Sequence, residues 1–199
     1  MLNGILVFLG AAIAALLAYA ATRPDTFRVE RTARIDAPPE RIFPWIEDLR
    51  ANERWSPYYR KDPAARFAYG GPVRGVGASC TFEGNRDVGS GRVTVTGSTP
   101  HRRVRMRLQM FKPFAADNDV EYTLVPQGEE RTDVTWAMTG TQPFLAKVVG
   151  LFFDMDAMIG TDFASGLANL KALVEGRAPD LVPDAAATTA ATLGTPHAT

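Results

Sequence analysis

The residue types that most often perform catalysis or bind metals are scarce in this chain. Its 199 residues include a single cysteine, Cys80, and only two histidines, His101 and His197. One cysteine excludes an intramolecular disulfide framework and a cysteine-based zinc cluster. Two histidines offer little material for a histidine-rich metal site or for a Ser/His/Asp triad. The sequence therefore predicts no metal ion and no cofactor, and it assigns no catalytic residue.

Arg31 is the charged residue best placed to act on a ligand. It falls in phase with the apolar positions of the first predicted strand, among them Phe27 and Val29, and alternate residues of a strand face the same side of a sheet. Arg31 could therefore enter a cavity and hold an anionic or enolate oxygen. A bulge in the strand would instead turn this side chain outward.

The other residues with acid–base chemistry are expected at the surface or stay ambiguous. Glu83 and Asp87 fall near a strand end but out of phase with its apolar face, and His101 lies at a turn. All three are expected to be solvated rather than to act as a catalytic acid or base. Tyr58 and Tyr59, which follow the first predicted helix, are as consistent with a place beside a site as with ordinary packing.

Two further charge patterns have structural interpretations. Asp154 and Asp156 lie on different faces of a helix, so together with Asp162 they complete no cation site. A solvated helix face is preferred, or compensation of the dipole of a kinked helix that restarts near Met155. Three alternating arginines over residues 103–107 form a basic stripe on the outer face of a strand. This stripe is expected to be solvated, with contact to acidic lipid headgroups as the alternative.

The apolar faces of the predicted strands and of the closing helix supply the residues that could line a cavity. Together with Arg31, these candidates are Cys80, Phe82, Met106, Met110, Tyr122, Trp136, Met138, Phe152, Met155 and Ile159. Methionine thioethers adapt to the shape of an apolar ligand, and a tyrosine or tryptophan adds a polar group. The same residues would also form an ordinary packed core, and periodicity does not separate the two interpretations.

The elements that would position these side chains are mostly strands. Residues 26–36 alternate between apolar and polar, and six shorter runs with the same period of two follow. Those runs are residues 66–69, 78–83, 91–97, 103–111, 119–125 and 132–139. Because turn residues separate them at short intervals, we expect an antiparallel meander.

Helices are predicted on both sides of this run of strands. Residues 36–39 end the first strand and open a short helix, and residues 55–57 form a second short helix or turn. Residues 143–175 are predicted as one long amphipathic helix. Glycines that could mark a kink or a close helix–sheet contact in it are Gly150, Gly160 and Gly166. One apolar face per strand and one amphipathic helix combine as an α+β fold, a curved sheet around that helix.

The first 22 residues form a hydrophobic segment. No charge occurs from Leu2 to Ala21, and 20 helical residues reach about 30 Å, enough to cross the hydrocarbon core of a bilayer. An uncleaved transmembrane helix is preferred over a signal peptide because no basic residue precedes the run, although Ala18-Tyr19-Ala20 offers a cleavage site. Arginines behind the segment favour a domain on the cytoplasmic side. The chain is thus predicted at a membrane, with export after cleavage as the alternative.

The rest of the chain divides into one domain and a tail. Residues 177–199 consist largely of Ala, Thr and Pro and are expected to be disordered, because they have almost nothing to bury. Residues 25–176 suffice for a single domain with a proper core. The 22 basic and 22 acidic residues give a formal net charge of zero, which argues against a dedicated nucleic-acid binder.

Four stretches follow one another in an order and spacing that resemble a known superfamily. They are the strand-to-helix opening Arg34-Ile35-Asp36-Ala37-Pro38-Pro39, the motif Trp55-Ser56-Pro57, the strand junction at residues 82–91 and the closing helix at residues 151–171. Over about Phe27 to Glu175 the chain resembles the START-like superfamily, in its polyketide cyclase/dehydrase-like (SRPBCC) branch. This resemblance implies a helix-grip fold, in which a seven-stranded antiparallel sheet holds a C-terminal helix.

For function the resemblance is permissive. The superfamily includes lipid and sterol carriers, hormone-binding proteins and aromatic cyclases, and fold analogy does not choose among them. With the hydrophobic N-terminal segment, the leading hypothesis is a membrane-anchored helix-grip domain that binds a hydrophobic small molecule, lipid or polyketide-like compound without chemistry. One alternative is a cyclase or dehydratase acting on a polyketide-like substrate in the same cavity. Another is a protein-interaction module with a closed core. Binding is favoured over catalysis because no catalytic His, Cys or Ser constellation is visible.

Overall fold

Seven strands of the chain form one antiparallel sheet that holds a C-terminal helix. The computed structural model describes residues 2–151 and 154–177, apart from the side chains of residues 2–7 and 155. In chain order its elements are α1 (Leu2–Ala21), β1 (Thr26–Ile35), α2 (Pro39–Glu47), two short 3-10 turns (Ala51–Arg54 and Pro57–Tyr59), β2 (Arg66–Gly70), β3 (Ser79–Glu83), β4 (Ser90–Thr99), β5 (Arg103–Lys112), β6 (Ala116–Pro126), β7 (Thr132–Thr141), α3 (Phe144–Val149) and α4 (Met155–Val174). The strand order is β1-β7-β6-β5-β4-β3-β2, which confirms the predicted α+β helix-grip fold.

The antiparallel register gathers the loops at two ends of the sheet. Thr26 of β1 lies opposite Thr141 of β7, and Ser90 of β4 lies opposite Lys112 of β5. The end at which α1 leads into β1 therefore also carries the loops 84–89 and 113–115, α3 and the start of α4; we call it the proximal end. The distal end carries the loops 71–78, 100–102 and 127–131.

The closing helix differs from its prediction. It is expected as one element over residues 143–175, but the chain forms α3 and α4 with a break between them. A new helix begins because the Asp154 carboxylate accepts a hydrogen bond from the backbone N–H of Ala157 at 2.9 Å. Such an N-cap satisfies a backbone donor that has no partner inside the helix. The helix before the break, α3, ends at Val149, directly before Gly150, which is one of the three glycines expected at a kink or a close contact.

The other two glycines mark close contacts between α4 and the sheet. A β-carbon at Gly160 would overlap the guanidinium of Arg31 on β1. At Gly166 it would lie 2.7 Å from Cζ3 of Trp136 on β7 and 3.0 Å from Cδ of Pro57. Both glycines therefore let the helix approach the sheet more closely than any other residue would allow.

Trp55 joins the short turns to this helix. Its side chain is fully buried and its indole Nε1 donates to the carbonyl of Trp45 at 2.9 Å. The carbonyl of Trp55 in turn accepts from the buried side-chain amide of Asn169 at 3.1 Å. Since buried polar groups are costly unless paired, these bonds fix the turn region against α2 and α4.

The predictions for the two ends of the chain have different outcomes. Among the residues that the structure describes, no helix is both long enough and apolar enough to cross a membrane. Thus α1 occupies the predicted segment, but the transmembrane helix predicted for residues 1–22 is not confirmed. The helix α1 lies against α3, and Ala20 in the last turn of α1 is fully buried. The predicted disordered tail, except for Arg177, lies outside the described residues.

Replacing Gly166 tests the close approach of α4. We expect Gly166→Ala to lower the free energy of unfolding by about 1–3 kcal/mol, as overpacking of a core does, because the new methyl group would meet two rigid rings. Chemical denaturation followed by tryptophan fluorescence measures the change. Gly10→Ala on α1 is the matched control, since a β-carbon there has open space and alanine favours a helix. An unchanged stability of the Gly166 variant would contradict the close contact.

Candidate functional site

The inner face of the sheet, which α4 covers, carries the predicted cavity-lining residues. Those that are buried there are Cys80, Met106, Tyr122, Trp136 and Met138, and those that are half-buried are Phe82, Met110 and Ile159. Phe152 and the side chain of Met155 lie outside the described residues. The strand residues share this face because the period of two holds along each strand. Their assignment to a ligand stays a prediction.

Trp136 lies midway along β7, the strand next to the edge strand β1. Its ring stacks on Phe163 of α4 at 4.1 Å between centroids and 10° between planes. The rings of Trp55 and Tyr58 meet it edge-on. The indole Nε1 is buried and has no hydrogen-bond partner among the described residues. A buried donor left unpaired costs about 1–3 kcal/mol, so this N–H marks a place where an acceptor would be stabilising.

Two further buried side chains with polar groups, Tyr122 and Asn118, lie on β6, which pairs with the strand of Trp136. Tyr122 lies opposite Trp136 in the sheet, with 5.1 Å between ring centroids, and Asn118 lies opposite Gly140. Burial, followed by the nearby tyrosines, raises the pKa of Tyr122 well above its usual range, so its hydroxyl stays protonated. Asn118 is only 7 % exposed, and a β-carbon at Gly140 would overlap its amide oxygen. Asn118 was not among the predicted site residues, although its phase with Tyr122 could have identified it.

Arg31 projects toward α4 rather than standing free. Its guanidinium donates to both carboxylate oxygens of Asp156, at 2.8 and 3.2 Å, and to the Asp156 carbonyl at 3.1 Å. The hydrogen bond from Arg31 is the largest cause that lowers the pKa of Asp156. Since β1 is an edge strand of the sheet, the pair lies at one side of the inner face. The predicted role of Arg31 toward a ligand oxygen stays untested, and its observed partner is the first turn of α4.

A pocket of about 480 Å³ opens at the proximal end of the sheet. Its walls come from the loop between β3 and β4 and from the end of β5, and they consist of Glu83, Gly84, Asn85, Arg86, Gly89, Ser90, Lys112 and Pro113. Behind this wall, the methyl group of Met110 lies 3.1 Å from the position of a β-carbon on Gly89. Met110, on the inner face of β5, is therefore close to one of the residues that line the pocket.

The remaining reactive side chains are held in structural contacts. Burial is the largest cause that raises the pKa of the Cys80 thiol, so it stays protonated near neutral pH and is a poor nucleophile. His101 lies at the distal end, with Nδ1 3.0 Å from the carboxylate of Glu40. Lys61 pairs with Asp162 of α4 at 2.6 Å. Among the described residues, no cluster of His, Cys, Asp and Glu side chains could hold a metal ion.

The outer arginine stripe is largely neutralised by the neighbouring strand. Arg105 pairs with Glu121 at 2.9 Å, and Arg107 pairs with Asp117 at 2.5 Å and with Asp119 at 3.4 Å. Opposite charges that face each other across two strands are a common way to stabilise a solvated sheet. This arrangement favours the solvated interpretation of the stripe over contact with acidic lipids.

The sequence of this domain matches a known protein family. Residues 26–175 match the family model described as polyketide cyclase / dehydrase and lipid transport. A search of curated proteins finds no significant match.

Solved structures share the fold at low sequence identity. Protein CV1439 from Chromobacterium violaceum is 20% identical with a TM-score of 0.53, covering 77% of this chain and 99% of its own. The Aha1 dimer from Colwellia psychrerythraea is 19% identical with a TM-score of 0.53, covering 75% and 96%. Norcoclaurine synthase from Thalictrum flavum, in complex with dopamine and hydroxybenzaldehyde, is 11% identical with a TM-score of 0.54, covering 77% and 89%. These likenesses show the fold alone.

The ion pair between Arg31 and Asp156 predicts a pH dependence. A carboxylate with a lowered pKa in the folded state contributes stability above its unfolded pKa, and this contribution is lost as the pH falls through the folded pKa. We therefore expect Arg31→Gln to return the pKa of Asp156 toward its ordinary value, as measured by NMR titration of the carboxyl carbon. The stability difference from the unsubstituted chain should shrink as the pH falls.

Arg28→Gln is the control for that titration. Arg28 lies on the same strand but pairs with Glu30 at 2.7 Å on the outer face. Its replacement should leave the pKa of Asp156 unchanged. An equal change in both variants would mean that the general charge of β1, not the contact with Arg31, lowers this pKa.

Proposed function

Because the chain belongs to the polyketide cyclase/dehydrase and lipid transport family, we propose that its helix-grip domain binds a hydrophobic small molecule or lipid between the sheet and α4. The observation that carries this proposal is the buried indole N–H of Trp136, which lacks an acceptor among the described residues. A ligand oxygen bound beside Trp136 would satisfy this donor. The surrounding aromatic and thioether side chains would bury the apolar body of the ligand.

The proximal pocket offers a route to that position. One of its lining residues, Gly89, lies close to Met110, whose unbranched side chain has several rotatable bonds and adapts its shape readily. A ligand that enters here would pass Met110 and then Met106 along β5 to reach the level of Tyr122 and Trp136. Entry from this end is therefore part of the proposal.

The chemistry of the inner face suggests the ligand class. An apolar ligand with one oxygen acceptor matches a face that is aromatic and aliphatic but has an N–H donor at Trp136 and a hydroxyl at Tyr122. A solved structure with the same fold, that of norcoclaurine synthase, contains the aromatic compounds dopamine and hydroxybenzaldehyde. We propose an oxygenated aromatic or polyketide-like compound, or a lipid, as the ligand of this chain.

Binding without turnover is the favoured form of this proposal. A general base or nucleophile near neutral pH needs a pKa matched to its task. Burial instead raises the pKa of both Tyr58 and Cys80, so each stays protonated. The cyclase or dehydratase hypothesis would require a reactive group other than these two.

Native mass spectrometry of the purified chain, combined with solvent extraction, tests whether a ligand is bound. We expect a reproducible hydrophobic compound of defined mass to co-purify from a bacterial host, because the buried donor and the apolar inner face favour occupancy. Conversion of that compound by the chain would favour the enzyme hypothesis. An unliganded chain that also takes up no apolar dye would favour the closed-core interaction module.

Trp136→Phe isolates the role of the indole N–H. Fluorenone and fluorene share one ring skeleton, but only fluorenone has a carbonyl oxygen. We expect the unsubstituted chain to bind fluorenone about fivefold more tightly, as one net hydrogen bond of about 1 kcal/mol allows. The variant keeps an aromatic ring against Phe163 and should lose this preference in a fluorescence titration.

Trp45→Phe is the matched control, because Trp45 lies on α2, where the guanidinium of Arg54 covers its ring. This control should keep the preference for fluorenone. A Trp136 variant that keeps it would contradict the role of the indole N–H. Failure of both probes to bind the unsubstituted chain would count against the ligand-binding function itself.

The location of the chain remains a proposal from the sequence: at a membrane with the domain on the cytoplasmic side, or exported after cleavage. Cleavage behind Ala20 would remove a helix that packs on α3 and whose Ala20 is fully buried. We therefore propose that the first residues are retained. Cell fractionation with intact-mass measurement should find the uncleaved chain in the membrane fraction, whereas a secreted chain that begins at Ala21 would contradict this.

A further inference from the structure

Large apolar side chains remain exposed at the proximal end of the sheet. They belong to three elements that are separate in sequence, and they are Phe111 and Phe114 around the β5–β6 loop, Phe144, Leu145 and Val149 on α3, and Met158 on α4. The exposed fractions reach 81% for Phe114 and 73% for Leu145. Exposed apolar side chains scattered singly are normal, but a concentration on one end indicates an interaction surface.

The opposite end of the sheet provides the contrast. Its exposed large apolar residues are valines, Val73 and Val76 in the loop 71–78 and Val125 near the end of β6. Polar contacts dominate there, such as His101 with Glu40 and the Ser98 hydroxyl with the Glu47 carboxylate at 2.6 Å. The apolar surface is therefore a property of the proximal end and not of the whole domain.

Charges at the proximal end favour an anionic neighbour. Within the described part of the chain, Arg23, Arg86 and Lys112 have no ion-pair partner. Most carboxylates of this end are instead engaged, as Asp25 is by Lys147 at 2.5 Å, and Glu83 and Asp87 are the exceptions. Free cations beside exposed apolar side chains match the headgroups and acyl chains of an anionic lipid surface.

We propose that the proximal end of the domain docks on a lipid bilayer, with Phe114 and Leu145 inserted among the acyl chains and Arg86 and Lys112 at the level of the phosphate groups. The surface continues onto α1, which lies against α3 and exposes Phe8, Leu9 and Ile13. Docking of this end needs no membrane-crossing helix. It also does not depend on the proposed ligand, although it would turn the 480 Å³ pocket toward the lipid.

Spin labels on the full chain test this orientation. Phe114→Cys and Val73→Cys place labels on exposed loops at opposite ends, and Cys80 is buried and should not react. The labelled chains are mixed with vesicles of phosphatidylcholine that contain about one quarter phosphatidylglycerol. Collision rates with oxygen, which is enriched in the hydrocarbon, and with a water-soluble nickel complex then report the depth of each label.

We expect the label at position 114 to collide with oxygen and to be shielded from nickel, while the label at position 73 stays accessible to nickel. Reversing both cations, with Arg86→Glu and Lys112→Glu, should lower the oxygen-to-nickel ratio at position 114 by about twofold in these anionic vesicles. The same reversal should have little effect in pure phosphatidylcholine, which separates the charge contribution from the apolar one.

Two results would overturn the proposal. A label at position 114 that stays as accessible to nickel as the label at position 73 would exclude insertion of this end. Dipolar broadening between labels at position 114 in the absence of lipid would instead show that a second copy of the chain covers the surface. Both results concern the proximal end only, so neither would affect the ligand-binding proposal.

Discussion

The contact of α4 with Trp136 sets the geometry on which the rest of the domain depends. Trp136 stands on β7, and the parallel stacking of its ring on Phe163 fixes the distance between helix and sheet. Gly166, three residues further along the helix, faces the same ring and leaves no room for a side chain. Aromatic stacking stabilises such a contact beyond its buried area. Any ligand beside Trp136 would therefore have to fit between this contact and the neighbouring ring of Tyr122.

A second contact orients the start of the same helix. Arg31 reaches from β1 to the Asp156 carboxylate and passes over Gly160, while Asp154, two residues before Asp156, caps the helix. Exposed ion pairs contribute little stability, typically 0–1 kcal/mol, and the side chain of Asp156 is more than half exposed. The pair therefore matters more for where α4 begins than for how stable the domain is. Ring stacking and backbone approach hold the helix in place, and the ion pair selects its first turn.

The sequence predicted the parts of this structure that depend on local pattern. Alternation along each strand placed residues such as Tyr122 and Met138 on the inner face, and glycines were expected where α4 meets the sheet. One long helix was predicted because an apolar stripe continues across the break between α3 and α4, although the aspartates had suggested a kinked helix that restarts near Met155. The side-chain cap that Asp154 provides there was not predicted. The partner of Arg31 lies 125 residues away, and no local pattern contains such a contact. The unpaired N–H of Trp136 likewise depends on neighbours from several elements.

The asymmetry between the two ends of the sheet connects the interior to the surface. One sheet face and one helix stripe can be buried completely, but the residues that follow the strands at the proximal end have no layer above them. A soluble domain that acted alone would place polar residues there, as this chain does at the distal end with Glu40 and His101. The proximal pocket and the exposed phenylalanines instead share one end. Whatever covers that end must also control access to the pocket, so the proposed surface contact and the pocket are physically coupled.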